Sequence, residues 1–210
     1  NVVFNEKSVQ EFQQREADRS IKRQQILHEI ELENIEKLAS AKNNYLQQTP
    51  VTSQEQLKNT YWEQKGLVVE AAQHLTGLRI DSNGTTWLPL DQSLNEERDI
   101  STTTGYQKIS AEKIEIKRDG EESEYLNKMF DGLGDGTKKQ AFYTIGNPNE
   151  ASMIITNEGI ANGLHAYVES KNRGLNALVI CAIDAGNINH AIRAALNKYP
   201  TLPIINMADN

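Results

Sequence analysis

The sequence predicts an α/β protein: a helical N-terminal arm, a small mixed or antiparallel sheet, and then an incomplete parallel sheet. Three observations carry this. Residues 8–47 contain no glycine or proline and show an apolar stripe at helical spacing. Short β-like runs separated by Asn-Gly and Asp-Gly turns follow. Finally, three apolar runs in the last sixty or so residues each end in a carboxylate, with a helical stretch between successive runs. The expected division is 1–66 for the arm, 67–148 for the β-rich part and 149–210 for the parallel part.

The arm stripe runs through Val9, Phe12, Ile21, Leu27, Ile30, Ile35, Leu38 and Tyr45. Ser8 followed by Glu11 resembles a capping box, and Pro50 marks a stop. One long helix is expected, or two joined near residues 18–20. Its polar face (Gln13, Gln14, Arg15, Arg19, Lys22, Arg23) holds the densest basic cluster of the chain. A solvated helix face accounts for that cluster better than a nucleic-acid contact. A second helix is expected over 53–65, ended by Gly66, with Tyr61 and Trp62 as packing residues.

The β-rich part has runs at 87–90, 105–110, 112–118 and 141–145, expected to form one antiparallel sheet. Turns are expected at Asn83-Gly84 and Asp119-Gly120. Residues 131–139 are glycine-rich and end in Lys138-Lys139, but a phosphate-cradling loop needs Gly-Lys-Ser/Thr opening a helix. A hairpin loop fits better. Its two lysines are either solvated or in contact with a nucleic-acid backbone.

The parallel part reads strand–helix–strand–helix–strand. Its runs lead to Glu158-Gly159, to Asp184-Ala-Gly-Asn187 and to Asp209-Asn210. Glycines after the first two acids are expected to turn the chain sharply into the helices, and Asn187 is expected to cap the second. Parallel strands gather their carboxyl ends along one edge, so three acids distant in sequence would meet in one crevice. Hard oxygen ligands of this kind suit Mg²⁺ (or Mn²⁺), with Glu158, Asp184 and Asp209 as candidate ligands and Glu158 also a candidate proton shuttle. Each acid could instead merely cap the helix that follows it. The coincidence of three favours a site.

Net charge is −7, which argues against a broad basic surface gripping nucleic acid unaided. Cys181 is the only cysteine and lies in an apolar run, so no internal disulfide forms and a reducing cytoplasm fits. No run approaches membrane-spanning length. Four histidines show no metal-ligand spacing, and no nucleophile-elbow motif is present. The chain begins at Asn1 and stops directly after a strand, so a piece of something longer is expected.

The segment Ile-Ile-Thr-Asn-Glu158-Gly159-Ile-Ala, followed later by Ala-Asp209-Asn210, resembles a TOPRIM domain, the fold of bacterial primases, topoisomerases and some nucleases. Asp184-Ala-Gly-Asn187 narrows the resemblance to the DNA primases of conjugative plasmids and phages. Upstream, Tyr61 to Leu67, Trp87-Leu-Pro-Leu, residues 105–109 and Phe142-Tyr-Thr-Ile-Gly146 are similar to the sheet preceding that domain. The resemblance covers about Tyr61 to Asn210. It implies Glu158 as general acid or base, Asp209 as a metal ligand, and Asp184 beside them. It also implies a lysine soon after the 119–120 turn, which here stands at Lys128 beyond Glu121, Glu122 and Glu124. The second aspartate of the family's Asp-x-Asp, its last strand and helix and its zinc-binding segment lie outside this sequence.

The implied function is a part of a Mg²⁺-dependent primase that joins ribonucleotides on single-stranded DNA, assisted by other domains of the same protein. Lys128, Lys138 and Lys139 are candidate nucleic-acid contacts. On its own the piece is expected to be inactive or nearly so. Two alternatives stay open: a TOPRIM nuclease or topoisomerase-like cleaver, and a non-catalytic DNA-docking module of a mobilisation protein.

Overall fold

The computed structural model describes residues 6–92, 94, 102–116, 123–134 and 141–207. Helix α1 (Glu6–Gln47) is unbroken, the first of the two arrangements expected for the arm. Its C-terminal third lies on a five-stranded antiparallel sheet in the order β1 (Thr49–Pro50), β2 (Arg79–Ile80), β3 (Thr86–Asp91), β4 (Thr103–Ile116), β5 (Glu124–Asp131). Alternation along β3 and β4 separates two faces. Trp87 and Tyr106 pack outward against Leu38, Ala41 and Tyr45 of α1. Leu88, Leu90 and Ile109 point inward to the main core.

The expected helix over 53–65 is instead a 3₁₀ turn (Gln54–Leu57), a left-handed Asn59 (φ 60°) and α2 (Tyr61–Gln64). Thr60 causes the break. Its hydroxyl donates to the Leu57 carbonyl at 2.6 Å and accepts from the Trp62 amide at 3.3 Å, replacing helical backbone bonds with a cap. A further helix, α3 (Val68–His74), has no counterpart in the sequence-based expectation.

The second sheet is mixed, in the order β6 (Tyr143–Ile145), β8 (Ala177–Cys181), β7 (Met153–Asn157), β9 (Ile204–Met207). Strands β8, β7 and β9 are mutually parallel, and β6 is antiparallel to β8. The run 141–145, expected in the first sheet, therefore belongs to the second. Phe142 faces one core cluster while Tyr143 and Ile145 face the other, so the run needs apolar cover on both sides. Among the described residues a bridge between Asp91 and Phe142 ties the two sheets with reciprocal 2.9 Å backbone bonds.

Helices α4 (Ile160–Asn172) and α5 (Ile188–Lys198) lie on opposite faces of the second sheet. Ala177, Val179 and Cys181 pack with Ile160 and Leu164, whereas Leu178, Ile180 and Ala182 pack with Ala191 and Ala195. No described helix is long and apolar enough to cross a membrane.

Candidate active site

The central strand β7 is flanked by β8 on one side and β9 on the other, and the two connecting helices cover opposite faces. The connection through α4 runs from β7 to β8 on one side, and the connection through α5 returns from β8 across the sheet to β9 on the other, so the strand order reverses at β7 and a crevice is favoured beyond the carboxyl ends there. Glu158 follows β7 directly and stands half-buried at that edge. Asp184 stands beyond β8, the adjacent strand. Asn157 is level with Met207 at the end of β9. Asp209, Lys138 and Lys139 lie outside the described residues.

Gly159 is the N-cap of α4, with φ −117° and ψ 147°, an extended conformation open to any residue. The glycine is thus not demanded by a sharp turn, contrary to expectation. Its consequence is open space. A Cβ there would meet only the Lys128 Nζ, at 3.7 Å, and no side chain caps the first amides of α4. The positive end of the helix dipole is thus left without a capping oxygen, and the Lys128 ammonium lies close by Gly159.

Lys128 arrives from β5, thirty residues upstream of Glu158, and lies 5.9 Å from the centre of the Tyr61 ring. Lys65 lies 5.5 Å from the same ring. Burial raises the Tyr61 phenol above its ordinary value, so the ring stays neutral and holds the two cations through its π face. Tyr61, Lys128, Glu158, Gly159, Ala161 and Asn162 line a cleft of about 60 Å³, enough for a few waters or a small polar group. Lys65 was not singled out from the sequence. Its signal was the Tyr61–Lys65 pair at helical i, i+4 spacing.

Asp184 has a definite local role. Its Oδ1 accepts the Gly186 amide at 2.8 Å and caps the 3₁₀ turn Ala185–Asn187. It follows Ile183, a β-branched residue held at φ 64°. That conformation costs roughly 1–3 kcal/mol and is typical of positions where surrounding structure imposes a functional geometry. Asn187, expected to cap α5, makes no such bond. Its amide donates to the carbonyls of Ala141 (3.1 Å) and Ala182 (2.8 Å), tying the β8 exit to the start of β6. Those two carbonyls lie at the same buried junction, and the amide is the donor they receive.

Among the described residues no three His, Cys, Asp or Glu side chains converge on a metal-sized site. His165 is exposed on α4 and lines a separate groove of about 640 Å³ between α4 and β9, with Met153, Ile155, Ile205 and Met207. That groove is larger and mostly apolar. The convergence of carboxylate and ammonium groups is at the smaller cleft. Compared with protein-family models, curated proteins and solved structures, the chain matches none.

Proposed function

We propose that this chain is part of a TOPRIM-type DNA primase, a Mg²⁺-dependent nucleotidyltransferase of conjugative plasmids or phages that works in the cytoplasm on single-stranded DNA. The observation that carries the proposal is Glu158 at the carboxyl edge of the central parallel strand, lining one cleft with Lys128 and the uncapped start of α4. A carboxylate beside an anion-binding corner suits phosphoryl transfer, in which positioning and charge stabilisation supply most of the catalysis.

In this reading Glu158 accepts the proton of a primer 3′-hydroxyl as its oxygen attacks the α-phosphate of a ribonucleoside triphosphate. The new P–O bond forms as the bond to pyrophosphate breaks, and the Glu158 proton passes to water. Lys128 and the first amides of α4 receive the phosphate oxygens. Lys65, beside the same Tyr61 ring, adds a second positive charge near the cleft. The oxygen-only donor set of Glu158 and Asp184 suits Mg²⁺, with Asp209 completing it. The ion, which keeps several waters, would supply charge neutralisation at the reacting phosphate.

The test has two arms. Mg²⁺-dependent binding of ATP and GTP to this chain should be present, and Glu158→Gln should weaken its dependence on Mg²⁺. Ribonucleotide incorporation on single-stranded DNA, by a chain extended beyond Asn210, should occur and should vanish in Glu158→Gln. Metal-dependent nicking without incorporation would replace the proposal with a strand-cleaving one. Neither nucleotide binding nor incorporation would leave only a docking role.

A further inference from the structure

We infer that the N-terminal half of α1 is a self-association arm that pairs antiparallel with the same helix of a second copy. The helix has 42 residues, a length of about 63 Å at 1.5 Å per residue. Every residue from 10 to 29 is exposed, and contact with the body begins at Ile30. Phe12, Ile21, Ile26 and Leu27 are among the exposed side chains of that stretch, Phe12 at 64% and Leu27 at 57%. Ion pairs within the helix, Arg19–Glu16 at 3.0 Å and Lys37–Glu33 at 2.7 Å, are solvent-exposed and contribute only tenths of a kcal/mol each. A projecting helix with this little internal support and four large apolar side chains in water is stabilised chiefly by a partner.

Charge order identifies that partner. A basic block, Arg15, Arg19, Lys22 and Arg23, precedes an acidic block, Glu29, Glu31, Glu33 and Glu36, and reflection about Ile26 sets Arg19 opposite Glu33 and Arg23 opposite Glu29. Two copies crossing antiparallel at Ile26 set each basic block against the other copy's acidic block. A parallel pair would set like against like. At the root of the arm a groove of about 330 Å³ is lined by Leu27, Ile30, Leu38 and Gly132. A nucleic-acid partner would leave the apolar side chains in water.

The test is light scattering and sedimentation of the whole 210-residue chain. A concentration-dependent species of twice the 23.6 kDa chain mass is expected. Replacing Arg15, Arg19, Lys22 and Arg23 with Glu should weaken it at least about tenfold, since each pair contributes tenths of a kcal/mol and occurs twice. Mixing that variant with one carrying Lys at 29, 31, 33 and 36 should restore pairing as a heterodimer. Spin labels at Gln13→Cys should lie about 40 Å apart in the antiparallel pair and about 10 Å apart in a parallel one. The native Cys181 is buried and stays unlabelled. Circular dichroism of each variant verifies that the body is folded. A monomer at every concentration, a dimer indifferent to charge reversal, or a short label distance would each overturn the inference. So would DNA binding by an arm that stays monomeric.

Discussion

Gly163→Ala sets helix propensity directly against packing at the wall of the candidate site. Gly163 lies inside α4 where the helix presses on β7 and β8. A methyl group there would overlap the Cys181 sulfur and come within 3.0 and 3.2 Å of the two polar atoms of the Asn157 amide. Both neighbours are buried, at 0% and 1% exposure, so neither can swing into solvent. Propensity alone would stabilise the alanine variant by about 1 kcal/mol, whereas overpacking a tight core costs about 1–3 kcal/mol. The expected net is a loss of up to about 2 kcal/mol, a fall of at most a few degrees in Tm for a domain of this size. Cys181→Ala alone should cost about 1 kcal/mol through lost buried volume. In the double variant the new methyl occupies the space the sulfur vacates, so the two changes should couple favourably by about 1–2 kcal/mol. Urea denaturation of all four proteins measures this. Because Asn157 precedes Glu158, nucleotide binding should fall in Gly163→Ala and recover in the double variant. A Gly163→Ala protein that is more stable than wild type, or strictly additive costs, would refute the close approach of α4 to β8.

Other outcomes follow from single groups. Lys128→Ala should weaken ribonucleotide binding by roughly 10–100-fold, the effect of losing one charged hydrogen bond to phosphate, with no loss of stability because the side chain is exposed. Calorimetric titration with ATP and Mg²⁺ reads it. Tyr106→Phe should be neutral or stabilising by about 1 kcal/mol in urea denaturation, since the buried hydroxyl has no hydrogen-bond partner among the described residues. Burial, reinforced by Tyr45 stacked 4.6 Å away, pushes the Tyr106 phenol up to about 12. The unfolded chain releases this proton near pH 10 and the folded one near 12. The stability is therefore fully present below pH 10 and lost as pH rises to about 12, by about 2–3 kcal/mol. Tyr106→Phe should flatten that loss.

Periodicity reported what is local. A glycine-free apolar stripe was enough for α1, and three apolar runs separated by helical stripes were enough for the order of β7, α4, β8, α5 and β9. Features decided by competition between side chain and backbone were not visible. The Thr60 hydroxyl outbids the helix at residues 57–62, and nothing in the spacing of apolar residues reports that. The run 141–145 reads equally well for either sheet, and only the apolar demand on both its faces assigns it. Lys128 lies thirty residues from Glu158 on a different sheet, so their meeting depends on how two sheets share a core. Asp209, the third acid of the expected site, lies outside the described residues.

An acid at a strand end has two possible explanations, capping or chemistry, and here two acids at adjacent strand ends separate them. Asp184 caps: its carboxylate holds the Gly186 amide. Glu158 stands one residue before the N-cap of α4, and that helix starts without a side-chain cap although carboxylates are favoured there. Local folding therefore explains the placement of Asp184 but not that of Glu158, which lines the same cleft as Lys128. The distinction is measurable. Asp184→Ala should lose about 1 kcal/mol of stability, the ordinary worth of a cap, whatever it does to metal binding. Glu158→Ala should leave urea stability within about 0.5 kcal/mol of wild type, as at surface positions without a structural role, while abolishing ribonucleotide incorporation. If Glu158→Ala were the more destabilising of the two, Glu158 would be a structural residue and the catalytic role proposed for it would fall.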